Sequence, residues 1–330
     1  MGIPQTRPSH AVAEAVSDGT VTGPVAAPHG PNQEERLARA WLSRASEPGN
    51  RQLWASVVRF GAVVTAARLR AGDGREVLQV PAGPGQREDR SIDDLQAAER
   101  LGIRLVIPGD DEWPSSLVEG MALLAAAGNT EVVPPIGLWV RGEARLDETV
   151  ERSVAIVGSR ASTGYGDQVA ADLAQGLVRL GYTVVSGGAF GIDAAAHRGA
   201  LSAEGRTVAV LAGGLDRPRP RGNGLLFERI MGSGLLLSEL PPGFSSTRRQ
   251  FVSRNRIIAG LAAGTVVVEA APRSGIRSTA SRTLDLGKPL MAVPGPVTSV
   301  QSVGCLDLIR MDGVRPVGSA EQILEEVDQR

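Results

Sequence analysis

The chain reads as an α/β fold: a doubly wound, mostly parallel sheet preceded by a small helical N-terminal domain. Three observations lead there. From residue 153 onward, short uninterrupted runs of Val, Ile and Leu alternate with helix-like stretches, the pattern of strands covered on both faces by crossover helices. Residues 33–72 repeat apolar positions at helical spacing with no strand between them. The composition, 42% hydrophobic and 22% charged over 330 residues, is that of a globular chain long enough for two domains.

Residues 1–32 are rich in Pro, Gly, Ser and Thr and predict a disordered tail. They lack the continuous apolar stretch of a secretory signal. No part of the chain approaches the roughly 18–20 apolar residues of a membrane span, so no membrane partner is expected. Between 33 and 72, Leu37, Trp41 and Leu42, then Leu53, Val57 and Val58, predict short helices around a Pro48-Gly49 break. Residues 73–97 are polar and Gly/Pro-rich and predict a linker or long loop, which closes the helical domain at 97. The main domain then runs over 98–330. It opens with "LGIRLVIPGDDEWPSSLVEG", a strand, turn and helix, and "PPIGLWVRGEARL", a further strand. Six core strands follow: 154–158, 183–189, 207–214, 235–240, 265–271 and 289–295. "SAEQILEEVDQR" is a short acidic helix at the end, and no C-terminal winged helix is expected.

The net charge of −1 conceals an uneven distribution. Residues 1–150 hold 15 Arg/Lys against 20 Asp/Glu, residues 151–310 hold 18 against 11, and residues 311–330 hold 2 against 5. A basic middle favours polyanions. Nearly all of the positive charge is arginine, which forks onto phosphate and stacks on bases where lysine cannot. Lys288 is the one lysine and Cys305 the one cysteine. A single cysteine excludes an internal disulfide and suits a reducing cytoplasm.

In doubly wound sheets ligands gather outside the carboxyl ends of the strands. The first core strand runs into "GSRASTGYG", the second into "SGGAFGIDAAAH", the third into "AGGLDRPRPRGNG" and the fourth into "GFSSTRRQFVSRNRIIAGL". No Gly-Lys-Ser/Thr exists for a P-loop, and the first turn lacks G-x-G-x-x-G while the second strand ends in Ser186 rather than an acid. Hydride chemistry on a dinucleotide is therefore not expected, and no cofactor is implied. Asp193 and His197 lie four apart and read first as a local hydrogen-bonded pair. Glu239 and Glu269 close two strands and read as buried carboxylates tied to backbone amides. Cys305 reads as a core residue. No catalytic residue and no metal site is assigned.

The arginines form a coherent set instead. Arg160 follows the first strand, Arg217, Arg219 and Arg221 the third, Arg248 through Arg256 the fourth, and Arg273 and Arg277 the fifth. With Phe251 among them, guanidinium for phosphate and a ring for stacking is the combination that holds single-stranded nucleic acid.

In this order these segments resemble the DNA-processing protein A (DprA, or Smf) family. "VAIVGSRASTGYG", "VVSGGAFGIDAAAHRGAL", "TVAVLAGGLD", "LLLSELPPG", "RNRIIAGLAAGTVVVEAAPRSG" and "AVPGP…GCLDLIR" carry the likeness across 153–310, and "VIPGDDEWPSSL" with "GLWVRGE" extends it to about residue 100. Residues 33–72 resemble the family's sterile-alpha-motif-like domain in degenerate form. The resemblance implies an extended Rossmann-like fold that binds single-stranded DNA, protects it, loads a RecA-type recombinase in transformation, forms a homodimer and hydrolyses nothing. By position it implies DNA contacts at Arg160, at Gly187, Gly188 and Gly191 of the glycine loop, at Arg248 and Phe251, and at the Arg254-Asn255-Arg256 helix start. Val252 replaces the family's proline, and Arg219 and Arg277 are added arginines. A second reading, a Rossmann-type enzyme or sensor for a nucleotide or phosphoribosyl ligand, would carry P-G-G-x-G-T-x-x-E, which is absent. A third is an interaction scaffold that binds neither.

Overall fold

A computed structural model describes residues 31–73, 89–272 and 275–328. All but the last two residues of the expected tail, most of the expected linker and Arg273 lie outside the described residues. Nine strands form a single sheet in the order β1-β2-β6-β5-β4-β3-β7-β8-β9. They are β1 Ile103–Val106, β2 Leu138–Arg141, β3 Ser153–Val157, β4 Thr183–Ser186, β5 Thr207–Val210, β6 Leu235–Ser238, β7 Gly264–Val267, β8 Leu290–Ala292 and β9 Val314–Pro316. Strand β2 is antiparallel to both neighbours and every other pair is parallel. The doubly wound, mostly parallel expectation is thus met.

Alternation along the central strands divides the core in two. Ala155, Val157, Val185, Val267, Leu290 and Ala292 face one cluster, which includes Ile257, Ile258 and Leu261. Val154, Ile156, Val184, Val266 and Met291 face another with Leu173, Leu177 and Ile192. Each strand is buried on both sides, so its side chains are apolar throughout and show no period of two. Strand β9 was not anticipated because Arg315 and Pro316 are exposed and leave no apolar run to read. The core strands also stop earlier than expected: β4 ends at Ser186 and β5 at Val210. The glycines beyond them belong to the loops of the carboxyl edge.

At the N-terminus, α1 Gln33–Ala45, α2 Arg51–Phe60 and α3 Ala62–Ala71 surround Trp41, Leu42, Leu53 and Val57. Val58 stays 47% exposed because it sits one residue, about 100°, around the helix from Val57. The expected linker is in part helical: α4 spans Ser91–Arg100. These helices pack directly on the sheet. Ala40 joins Ile103, Trp139 and Leu236 in one cluster, and Arg44 grips Asp94 of α4 through two 2.5 Å contacts.

Helix α10, Arg248–Leu261, connects the sheet to this unit. Its Arg256 is 1% exposed and forms two hydrogen bonds, 2.5 and 2.6 Å, with the Glu239 carboxylate. The Arg256 guanidinium also lies against Gly49, where a Cβ would meet its Nε at 3.0 Å. Glu239 is therefore an ion-pair partner and not, as expected, a carboxylate tied to amides. Glu239→Ala would leave a buried guanidinium unpaired and should cost about 3–5 kcal/mol, read by urea denaturation, whereas Glu239→Leu with Arg256→Met should recover most of that loss.

Candidate functional site

The loops after β3, β4, β5 and β6 meet the first turns of α10 at the carboxyl edge. They enclose a groove of ≈ 480 Å³ whose lining includes Arg160, Phe190, Arg219, Arg221, Ser246 and Phe251. The Arg160 guanidinium lies over the Phe251 ring, 4.8 Å from its centroid, a cation–π contact that presents charge and ring together. Arg160, Arg219, Arg221 and Arg248 are exposed, and among the described residues no carboxylate comes within ion-pair distance of them. The neighbouring Arg217 has Asp216 at 3.8 Å. The result is a concentrated positive field along the groove.

Helix α10 determines which arginines reach this surface. Thr247 and Gln250 form a reciprocal capping box: the Gln250 amide oxygen accepts from Thr247 N at 2.8 Å, and the Thr247 hydroxyl accepts from Gln250 N. The helix therefore starts at Arg248, and residues 248–251 form its first turn. Val252, unlike a proline, supplies an N–H and allows the helix to run through. Consequently Arg254, Asn255 and Arg256 sit mid-helix rather than at a helix start, about 100° apart, and point three ways. Arg254 is buried and donates to the Val210 carbonyl; Asn255 donates to Ser278 Oγ at 2.7 Å; Arg256 holds Glu239. Arg254 and Arg256 are buried and Asn255 is half-buried, and each side chain has a protein partner, although the Nε of Arg254 and of Arg256 has none among the described residues. Arg248 and Phe251, three apart, share one face of the helix; Phe251 lines the groove and Arg248 is exposed. Arg277 is separated from the groove. It lines a second cavity of ≈ 330 Å³ with Asp307 and Met311, its guanidinium 3.7 Å from Asp307.

The glycine loop is likewise filled from within. A Cβ at Gly187 would lie 2.4 Å from both Arg254 Nη1 and Asp193 Oδ2, and one at Gly188 would lie 2.4 Å from Leu211. Gly191, at φ +75°, adopts a left-handed conformation and passes so close to Ser159 O that a Cβ would meet it at 2.3 Å. These glycines pack loop on loop, with the buried Arg254 charge beneath them. Asn223 latches the loop by donating to Gly188 O at 3.0 Å and Ala189 O at 3.2 Å. Burial holds the Asp193 carboxyl above the usual carboxylate range, against the pull of Arg254, and lowers Arg254 to about 10. Asp193 and His197 do not pair. His197 faces Gly187 O and Thr207 Oγ1, each at 2.7 Å. The Gly187 carbonyl can only accept, which places the proton on Nε2.

Glu269 occupies the switch point between β3 and β7. Its carboxylate accepts from Thr163 N at 2.9 Å and Thr163 Oγ1 at 2.6 Å, at the start of α7, Gly164–Arg179. A Cβ on Gly166 would lie 2.3 Å from Glu269 Oε2. A protein carboxylate thus fills the place where a dinucleotide fold seats its pyrophosphate, as expected for a Glu bound to backbone. Cys305 is a core residue, its thiol pushed up to about 12 by burial.

Sequence reasoning missed Phe190, which is 50% exposed beside the groove. In a chain with 3% aromatic residues, a phenylalanine between Gly188 and Gly191 in a strand-end loop was the available signal.

The family model for DNA recombination-mediator protein A matches residues 104–328. The chain belongs to that family. It is 48% identical over 292 residues to a DNA processing protein DprA of Mycobacterium tuberculosis, covering 88% of this chain and 75% of the relative. The X-ray structure of DprA from Streptococcus pneumoniae superposes at TM-score 0.69 with 30% identity, over 90% of this chain and 98% of that one. DprA from Helicobacter pylori, described for its single-stranded DNA binding mode, matches at TM-score 0.54 and 28% identity, over 59% and 88% of the two chains. The family match begins within β1, so helices α1–α4 precede it; the pneumococcal likeness covers more of the chain.

Burial lowers His197 from 6.5 to about 4. The unfolded chain then binds a proton through a window in which the folded chain does not, so stability falls as pH drops below 6.5 and levels off near 4. Between pH 7 and 5 this should cost about 2 kcal/mol. Unfolding free energies from urea titrations should fall by that much more for the wild type than for His197→Gln, which lacks the titrating ring.

Proposed function

We propose that this chain binds single-stranded DNA along its carboxyl-edge groove, as a cytoplasmic, non-hydrolytic DNA-processing protein. Its contacts are Arg160, Arg219, Arg248 and Phe251, with Gly187, Gly188 and Gly191 shaping the loop beneath. The stacked Arg160–Phe251 pair carries this reading. A guanidinium over an accessible ring offers phosphate and base the two contacts they need from one place, and only an unpaired base exposes the face that can stack. The described family relationship and the single-stranded DNA binding of the Helicobacter relative support it. The protein would shield bound strands, act as a homodimer and hand them to a RecA-type recombinase. The nucleotide-enzyme reading is weakened by Glu269, whose carboxylate would repel a pyrophosphate at the switch point.

Fluorescence anisotropy with labelled oligo(dT) tests the reading. Phe251→Ala should lose about 1–3 kcal/mol of binding with little change in salt dependence. Arg160→Ala and Arg248→Ala should each reduce the slope of log K against log salt by about 0.7. A wild-type protein that does not bind, or an Arg160→Ala, Arg248→Ala variant that binds equally well, would overturn it. Sedimentation of the free protein should show a dimer, and recombinase filaments should assemble faster on strands that it covers.

A further inference from the structure

Two aromatic rings line the groove, and they are held differently. Phe251 is half-buried and carries the Arg160 guanidinium on its ring. Phe190 is 50% exposed, and among the described residues no guanidinium lies over it. Its place is set from below. A Cβ built on Gly222 would lie 2.9 Å from Phe190 Cζ and 3.0 Å from Cε1, so the tip of the ring rests against the bare Gly222 backbone. Asn223, the next residue, anchors the carbonyls of Gly188 and Ala189 on the approach to the ring. Gly191 follows in a conformation that favours glycine. A large apolar ring is thus fixed at the water-facing rim by a latched loop, where burial contributes little to its stability.

We propose that Phe190 is a second base-stacking platform, and that the ≈ 480 Å³ groove between it and Phe251 holds unpaired nucleobases while Arg160, Arg219 and Arg221 hold the phosphates outside. This inference rests on the single-stranded DNA reading. The cavity has the size of a ligand pocket, its two rings supply π-faces without hydrogen-bond demands, and its rim is positively charged. That combination takes any base and excludes paired ones. Arg160 occupies one face of Phe251, whereas among the described residues no guanidinium lies over Phe190. Gly222 is then a positioning residue for it.

Anisotropy at low salt on two probes of equal length, oligo(dT) and an abasic deoxyribose-phosphate oligomer, separates stacking from phosphate contact. Phe190→Ala should weaken oligo(dT) binding roughly 5- to 150-fold and leave the abasic oligomer unaffected, with the melting temperature and salt slope close to those of the wild type. Phe190→Tyr should restore binding. Gly222→Val, which keeps the ring but moves it, should weaken oligo(dT) in the same selective way. Equal affinity of Phe190→Ala and wild type for oligo(dT), or an equal loss on both probes, would overturn the second platform alone. Failure of the wild type to bind oligo(dT) would instead overturn the function on which it rests.

Discussion

The Arg256–Glu239 ion pair sets the roll of helix α10, and that roll decides which of its arginines meet water. With one guanidinium held at 2.5 and 2.6 Å in the interior, the helix has little freedom to rotate. Arg254 must then point beneath the glycine loop and Asn255 toward Ser278. Phe251 and Arg248 remain for the outer face. Four arginines in nine residues look equivalent in a sequence, yet 100° per residue sends them to a sheet-edge carbonyl, a carboxylate and solvent. Breaking such a pair leaves a buried charge with no compensation, which is why it constrains the helix so strongly.

The carboxyl edge of the sheet shows the same economy. A doubly wound sheet offers a ligand crevice at its switch point, but here Glu269 closes that crevice by capping the start of α7 through Thr163. The groove opens instead over β3 to β6, where four loops and α10 converge. The buried Arg254 guanidinium lies against Gly187 of the neighbouring glycine loop, and the groove's rim contains exposed arginines without carboxylate partners among the described residues. A positive rim over a closed nucleotide crevice suits a polymer lying across the edge better than a small molecule entering it.

Much of this architecture was legible in the residues. Uninterrupted apolar runs alternating with helical stretches specify a parallel sheet because each strand is buried twice, and that rule holds for β6, which is Leu-rich, as it does for the β-branched strands. Trp41, Leu42, Leu53 and Val57 showed the N-terminal helices for the same reason. Arg160, Arg219, Arg248 and Phe251 could be placed at one edge because strand order fixes where strand ends emerge. The short strand β9 and the helix Ser91–Arg100 could not, since their polar residues conceal the periodicity.

What the sequence alone determined is therefore the fold class, the family and the edge at which the arginines gather: all depend on composition and period along the chain. Only the tertiary structure decided which side chains reach the groove. The start of α10 depends on a capping box, the burial of Arg254 on a glycine 67 positions earlier in the chain, and the exposure of Phe190 on the bare backbone of Gly222. Those are contacts across the chain, and a linear pattern carries no information about the direction in which a helix is turned.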